Sequence, residues 1–95
     1  MYIEIRKAPV KRGTKRDQLD EIWKDLAPDF RSLEGFHTLY PITDDNVTEA
    51  GAITVWDSRQ AADAGERVQQ RARVAFQDFY EGEPRVEGYD TRIVV

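Results

Sequence analysis

The side chain best placed for ligand chemistry in this sequence is Trp56, at the end of a strand-like run. Asp57-Ser58 follows at once and supplies a residue that can cap the next helix. An indole at such a junction can stack on a flat ligand, or it can fill the gap between strand and helix. These two roles are compatible, and the sequence leaves both open.

Two further side chains complete the set of candidate substrate-binding residues. His37 is the only histidine, and an imidazole is the group that most readily acts as a base near neutral pH. A lone histidine at the start of a strand is, however, more often a surface residue. Tyr40 could orient a phenolic substrate, whereas its structural role would be edge packing or a dimer contact. We therefore predict substrate binding by Trp56, Tyr40 and His37, and we assign no catalytic residue.

Metal and thiol chemistry are not indicated. No second histidine or carboxylate stands at ligand spacing from His37, so we expect no metal site. Cysteine is absent, which leaves neither a disulfide framework nor a thiolate nucleophile. This composition fits a reducing compartment, and we expect the protein in the cytoplasm.

Charge and hydrophobicity exclude two classes of partner. The net charge of −4 disfavours nucleic acid, because phosphate binding needs a dense basic surface. No apolar run approaches the ~18 residues of a membrane span, so we expect no membrane contact. The basic residues near the N-terminus are interpreted as a solvated edge and connector, or alternatively as an anion-binding lip. They are Arg6, Lys7, Lys11, Arg12, Lys15 and Arg16.

The elements that position the candidate residues form a strand–helix–strand unit that occurs twice in the chain. Alternation, helical spacing and turn residues place six elements within a single domain over 1–95. They are strands at Tyr2–Ala8, Phe36–Ile42, Ala50–Trp56 and Arg85–Val95, and helices from about Thr14 to Leu33 and from Arg59 to Tyr80. The order predicts an α+β, ferredoxin-like βαββαβ fold, with a four-stranded antiparallel sheet and two helices on one face.

Each predicted helix has a feature that affects its shape or its packing on the sheet. Pro28 should kink or restart the first helix, and Gly35 should cap it in the left-handed conformation. The second helix is rich in small residues over its first half. They either bring the helix close to the sheet or leave a void for a ligand beneath it, and both alternatives stay open. They are Ala61, Ala64, Gly65 and Ala72.

Two junctions resemble the antibiotic biosynthesis monooxygenase family, of the dimeric α+β barrel superfamily. They are Leu33-Glu34-Gly35-Phe36, which leads into the second strand, and Val55-Trp56-Asp57-Ser58, which leads into an alanine-rich helix. The resemblance spans nearly the whole chain. It implies a ferredoxin-like monomer, two of which place their sheets face to face, and a small-ligand pocket between sheet and helices. Some members are cofactor-independent oxygenases of polycyclic aromatic substrates, and others degrade haem.

The family's functional residues transfer only in part. The haem-degrading members use an Asn on strand 1 and a His on helix 2, and neither is present here. The quinone oxygenases pair the strand 3 Trp with an Asn on the same face, where this chain has Ala52 and Thr54. Trp56 alone matches both sets. The resemblance thus implies a monooxygenase without a cofactor that acts on a small aromatic or polyketide-like molecule. The alternative is a non-catalytic small-molecule-binding or structural and regulatory dimeric domain.

The alternation along the strands divides the sheet into two faces. We expect the helices to cover the face with Ile3, Ile5, Leu39, Ile53 and Val55. The other face would then carry much aromatic surface, which usually marks an interface, so we expect a homodimer. Its residues are Tyr2, Tyr40, Thr54 and Trp56, beside Glu4 and Arg6.

Overall fold

The computed structural model describes all 95 residues. The elements follow one another as β1 (Tyr2–Pro9), α1 (Arg16–Arg31), β2 (Phe36–Thr43), β3 (Glu49–Trp56), α2 (Arg59–Ala64), α3 (Glu66–Phe76) and β4 (Arg85–Asp90). The four strands form one antiparallel sheet in the order β2-β3-β1-β4. The predicted α+β, ferredoxin-like fold is confirmed. No helix combines the length and hydrophobicity that a membrane crossing requires.

The covered face of the sheet is the opposite of the one predicted. Buried side chains alternate along the central strands, and Glu4 pairs with Thr54 across them. The set in contact with the helices comprises Glu4, Ala8, Ala50, Ala52, Thr54 and Trp56. The β-branched residues Ile3, Ile5, Ile53 and Val55 lie on the open face and are only half-buried. Small side chains are what the covered face needs, because they let the helices approach the strands closely.

Leu39 is the one residue of the predicted set that does face the helices. The pairing of β2 with β3 shifts register between Phe36 and Thr38. This irregularity changes which side of the sheet the rest of β2 presents, and a bulge of this kind is not visible in simple alternation. Leu39 therefore packs against the core, while Tyr40 lies on the open face.

The first helix keeps its predicted apolar stripe with Leu19, Leu26 and Phe30 buried. It begins at Arg16, two residues after the predicted start at about Thr14, and follows Lys15, whose backbone N–H donates to Gln18 Oε1 at 2.9 Å. The predicted restart at Pro28 is wrong: Arg16–Arg31 is one helix. Proline falls in its last turn, where few backbone bonds remain to be broken.

The predicted second helix is divided at Gly65 into α2 and α3. A Cβ atom at Gly65 would lie 2.6 Å from Cη2 and 3.0 Å from Cζ3 of Trp56. The glycine at this position therefore lets the helix pass close to the ring of Trp56. Gly35 has the predicted left-handed conformation, with φ of 79°, in the turn from α1 to β2. The fourth strand ends at Asp90 rather than Val95.

Candidate functional site

Two cavities border the layer between helices and sheet. The α1–β2 groove has a volume of about 580 Å³ and lies beside the edge strand, with Phe30, Phe36 and His37 in its wall. The α3 cavity has a volume of about 310 Å³ and lies between α3 and the two central strands. Trp23 lines both. Each volume is within the range of known small-molecule sites.

Part of the wall of the α3 cavity is made of small residues. Gly51 and Ala52 of β3 and Ala72 of α3 line it, and none has a side chain long enough to fill the gap. Phe76 and Tyr80 close it at the end of α3. Of the two alternatives for the small residues, the void beneath the helix is present at Ala72, whereas close approach of the helix to the sheet is present at Gly65.

A tryptophan–threonine pair supports the floor of the α3 cavity. The Trp56 indole N–H donates to Thr54 Oγ1 at 2.8 Å. An indole nitrogen can only donate, so the threonine oxygen accepts and its own hydrogen remains for another partner. Thr54 lines the cavity, whereas Trp56 lies behind it with 0 % of its surface exposed. Trp56 thereby orients the hydroxyl of a residue that lines the cavity.

Gln69 and Arg6 line the same cavity, and each has a buried donor atom without a partner. Gln69 is 4 % exposed, and its Nε2 has no hydrogen-bond partner. Arg6 donates from Nη2 to Glu66 Oε2 at 3.0 Å, but its buried Nε is also without a partner. A buried donor left unpaired costs about 1–3 kcal/mol, so each of these groups would gain from a ligand acceptor.

Glu4 lies beside Arg6 on the covered face and is 8 % exposed. Its Oε1 is 3.6 Å from Arg6 Nη2 and has no hydrogen bond. Burial raises the pKa of the Glu4 carboxyl above its usual value of 4.5, outweighing the attraction of Arg6; the negative charges of Glu66 and Asp63 act in the same direction as burial.

The raised pKa of Glu4 has a definite consequence for stability. Above pH 4.5 the unfolded chain releases the proton while the folded chain still holds it, so stability falls as pH rises towards the folded pKa. We expect Glu4→Gln to raise the melting temperature more at pH 7 than at pH 4. Glu34→Gln, at an exposed position, should follow the wild type at both values. An equal effect of Glu4→Gln at both pH values would contradict the assignment.

Tyr80 supplies a phenol at the closed end of the cavity. Burial raises the pKa of Tyr80 to about 12, so its hydroxyl stays protonated near neutral pH and is available as a donor. Its ring stacks on Phe76, with ring centroids 5.8 Å apart. The cavity thus combines apolar walls with several hydrogen-bond donors and one ion pair.

The three residues predicted from the sequence lie in three different surroundings. Trp56 is in the core and lines neither cavity. His37 lines the α1–β2 groove and pairs through Nε2 with Asp57 Oδ1. Tyr40 is on the open sheet face, 57 % exposed. The structure does not bring them together, and substrate contact by any of them stays a prediction.

Sequence reasoning missed the polar residues of the α3 cavity. Arg6 and Thr54 were placed on the open face because the two faces of the sheet were exchanged. Gln69 has a signal of its own, since it follows Gly65 by four residues and precedes Ala72 by three and Phe76 by seven. That spacing puts a polar side chain on the buried stripe of a helix, which is rare unless it has a partner.

No protein-family model and no curated protein matches the chain. A monooxygenase from the gene ActVA-Orf6 of Streptomyces coelicolor, solved with the ligand Nanaomycin D, superposes with a TM-score of 0.80 at 18% identity. The match covers 99% of this chain and 89% of that one. SnoaB, a cofactor-independent oxygenase from Streptomyces nogalater, gives a TM-score of 0.76 at 12% identity, over 99% and 95% of the two chains.

A third solved structure, from Nitrosomonas europaea, is assigned to the antibiotic biosynthesis monooxygenases. It superposes with a TM-score of 0.78 at 18% identity, over 96% of this chain and 98% of that one. Likeness at these identities concerns the fold, and it agrees with the resemblance found in the two sequence junctions. The chain therefore has the fold of the antibiotic biosynthesis monooxygenases.

Proposed function

We propose that this chain is a cofactor-independent monooxygenase that acts on a small aromatic or polyketide-like molecule in the α3 cavity. The observation that carries the proposal is the pair of unpaired buried donors, Gln69 Nε2 and Arg6 Nε, between apolar walls. Such a combination suits a flat molecule with a polar oxygen. The fold shared with a cofactor-independent oxygenase and with a monooxygenase that holds Nanaomycin D supports the reaction class.

The reaction needs no electron source other than its substrate. A phenol gives up four electrons to O₂, so that one oxygen atom becomes the second carbonyl of a quinone and the other leaves as water. Negative charge develops on the phenolic oxygen as its proton leaves, and this proton and the hydrogen of the oxidised carbon both end in the water. The substrate binds as the neutral phenol, and hydrogen bonds from the Arg6 guanidinium and the Gln69 amide would act on the charge that develops after binding.

One observation favours a non-catalytic binding domain as the second candidate. Glu66 is the only carboxylate that lines the α3 cavity, and it already accepts a hydrogen bond from Arg6. A general base would have to be free to take a proton from the substrate. A domain that binds a small molecule without converting it needs no such group.

The two candidates separate in one experiment on two matched variants. Ala52→Leu places a larger side chain in the α3 cavity, and Ala27→Leu does the same in the α1–β2 groove. We expect polycyclic phenols such as 1-naphthol to bind the wild type and Ala27→Leu saturably and Ala52→Leu weakly. Oxygen uptake without added metal, flavin or nicotinamide should follow the same order.

The outcomes have separate meanings. Saturable binding without oxygen uptake would favour the non-catalytic domain. Equal binding by Ala52→Leu and the wild type would place the ligand outside the α3 cavity and contradict the proposal. Melting curves of both variants establish that each is folded before binding is compared.

We also propose that the chain forms a homodimer through the open sheet face. That face carries apolar residues that the helices leave half-exposed: Ile3, Ile5, Tyr40, Ile42, Ile53 and Val55. A contiguous apolar surface of this kind usually marks an interface. A dimeric α+β barrel would cover it with the same face of a second copy.

We expect sedimentation at micromolar concentration to give about twice the chain mass of 11.0 kDa. Ile5 pairs with Ile53 across the two central strands, so Ile5→Glu puts a charge in the middle of the face. This variant should sediment as a monomer, because burying the charge without a partner is unfavourable. Glu87→Gln, on the edge strand, should remain dimeric. A monomeric wild type would rule out the barrel.

A further inference from the structure

We propose that Gln69 is a specificity-determining residue of the α3 cavity, which selects a neutral ligand with an acceptor oxygen. The amide of Gln69 acts together with Arg6 Nε and the Thr54 hydroxyl. This inference rests on the proposed function in one respect, that a ligand occupies the α3 cavity. It adds which polar group of the ligand is recognised and which charge the ligand carries.

The three groups share the same direction of hydrogen bonding. Gln69 Nε2 and Arg6 Nε have hydrogens and no acceptor. The oxygen of Thr54 is occupied by the Trp56 indole N–H, so this hydroxyl also has a hydrogen to give. All three residues line one cavity. Their common complement is an oxygen that accepts hydrogen bonds, such as a carbonyl.

Gln69 is held in place by the break between α2 and α3. Its backbone N–H donates to the carbonyl oxygen of Gly65 at 3.2 Å, in the first turn of α3. Gly65 in turn lies against the ring of Trp56. The contact that fixes the start of α3 on the sheet therefore also fixes the backbone from which the Gln69 side chain extends.

The charges around Arg6 argue against an anionic ligand. Glu66 Oε2 is 3.0 Å and Glu4 Oε1 is 3.6 Å from Arg6 Nη2. One cation thus faces two carboxyl groups, and the sum of the three is zero when Glu4 is protonated and −1 when it is ionised. A carboxylate ligand beside Arg6 would gain no net attraction for the loss of its hydration, and Arg73, the other cation of the lining, is already paired with Glu83. A neutral carbonyl oxygen loses far less.

Three bicyclic probes of similar shape test both parts of the proposal. 1-Tetralone has a carbonyl oxygen, tetralin has none, and 1-naphthoate has a charged carboxylate. By titration calorimetry, we expect the wild type to bind 1-tetralone about fivefold more tightly than tetralin, as one neutral hydrogen bond predicts. Gln69→Leu should lower this ratio towards one, with any remainder due to Arg6 Nε and the Thr54 hydroxyl, while Gln60→Leu, at an exposed position on α2, should leave the ratio unchanged.

A second measurement uses only the wild-type protein. The side-chain amide resonances of Gln69 should shift when 1-tetralone is added and stay in place with the same concentration of tetralin. Gln69→Met replaces Gln69→Leu if the latter melts early. A purely structural role for Gln69 would lower stability but would not change the ratio between the two probes.

The possible results are distinct from those that decide the proposed function. Equal affinity for 1-tetralone and tetralin, with Ala52→Leu excluding both, would overturn the role of Gln69 and leave the cavity as a binding site. Tighter binding of 1-naphthoate than of 1-tetralone would overturn the preference for a neutral ligand. Failure of all three probes to bind, together with the phenols, would overturn the proposed function as well.

Discussion

Gly51→Ala is expected to unfold the chain or to remove most of its stability. A Cβ atom at Gly51 would lie 1.7 Å from the carbonyl oxygen of Arg6, 2.7 Å from the carbonyl carbon of Arg6 and 2.9 Å from Lys7 Cα. All three are backbone atoms of β1. Because β3 lies between β2 and β1 in the sheet, it cannot move away from one neighbour without losing its pairing with the other.

The expected loss is several kcal/mol out of a total of roughly 5–15 kcal/mol for a domain. Urea unfolding followed by far-ultraviolet circular dichroism would measure it. Gly82→Ala is the matched control, because a Cβ atom there meets nothing within 4 Å, and its stability should stay within about 0.5 kcal/mol of the wild type. Similar midpoints for both variants would show that the two central strands do not approach as described.

The order of elements was predictable because each one carries a local signal. Strand alternation, helical spacing and turn residues are read over short windows, and the bounds of β1, β2 and β3 lie within one residue of those predicted. The break at Gly65 has no such signal, since the helical period continues through it. At the break, Gly65 lies in tertiary contact with Trp56, and the sequence does not report that distance.

The exchange of the two sheet faces has a physical origin. Alternation tells which residues share a face but not which face is covered. Isoleucine and valine were expected in the core because of their hydrophobicity, whereas the helices cover Ala8, Ala50 and Ala52. Small residues there bring helices and sheet close and leave a cavity. The open face is instead the more hydrophobic one, and this strengthens the case for a dimer.

The α3 cavity lies in the layer between sheet and helices, but none of the three residues predicted to bind a ligand lines it. Trp56 pointed to the junction between β3 and α2, and the α3 cavity lies next to it through Thr54. The residues with unpaired donors were missed, because Arg6 was placed on the wrong face and Gln69 was not considered. Unpaired hydrogen bonds depend on what surrounds a side chain, and composition and spacing do not report that.

Phe76→Ala is expected to give the second-largest loss of stability, about 3–5 kcal/mol. Phe76 is 2 % exposed, and its ring centroid is 4.6 Å from that of Trp23 and 5.8 Å from that of Tyr80. Removing the ring deletes both contacts and leaves a space beside these two half-buried neighbours. Urea unfolding should show a lower midpoint with an unchanged slope.

Phe76→Ala also tests whether the same side chain supports both the hydrophobic core and the wall of the α3 cavity. Phe76 lines that cavity, so its loss should enlarge the site as well as weaken the domain. A larger tricyclic phenol should then raise the melting temperature of Phe76→Ala more than that of the wild type, because a ligand stabilises only the state that binds it. Val74→Ala, at an exposed position of α3, should change neither stability nor ligand response. A Phe76→Ala variant as stable as the wild type would mean that α3 does not pack on the sheet through this ring.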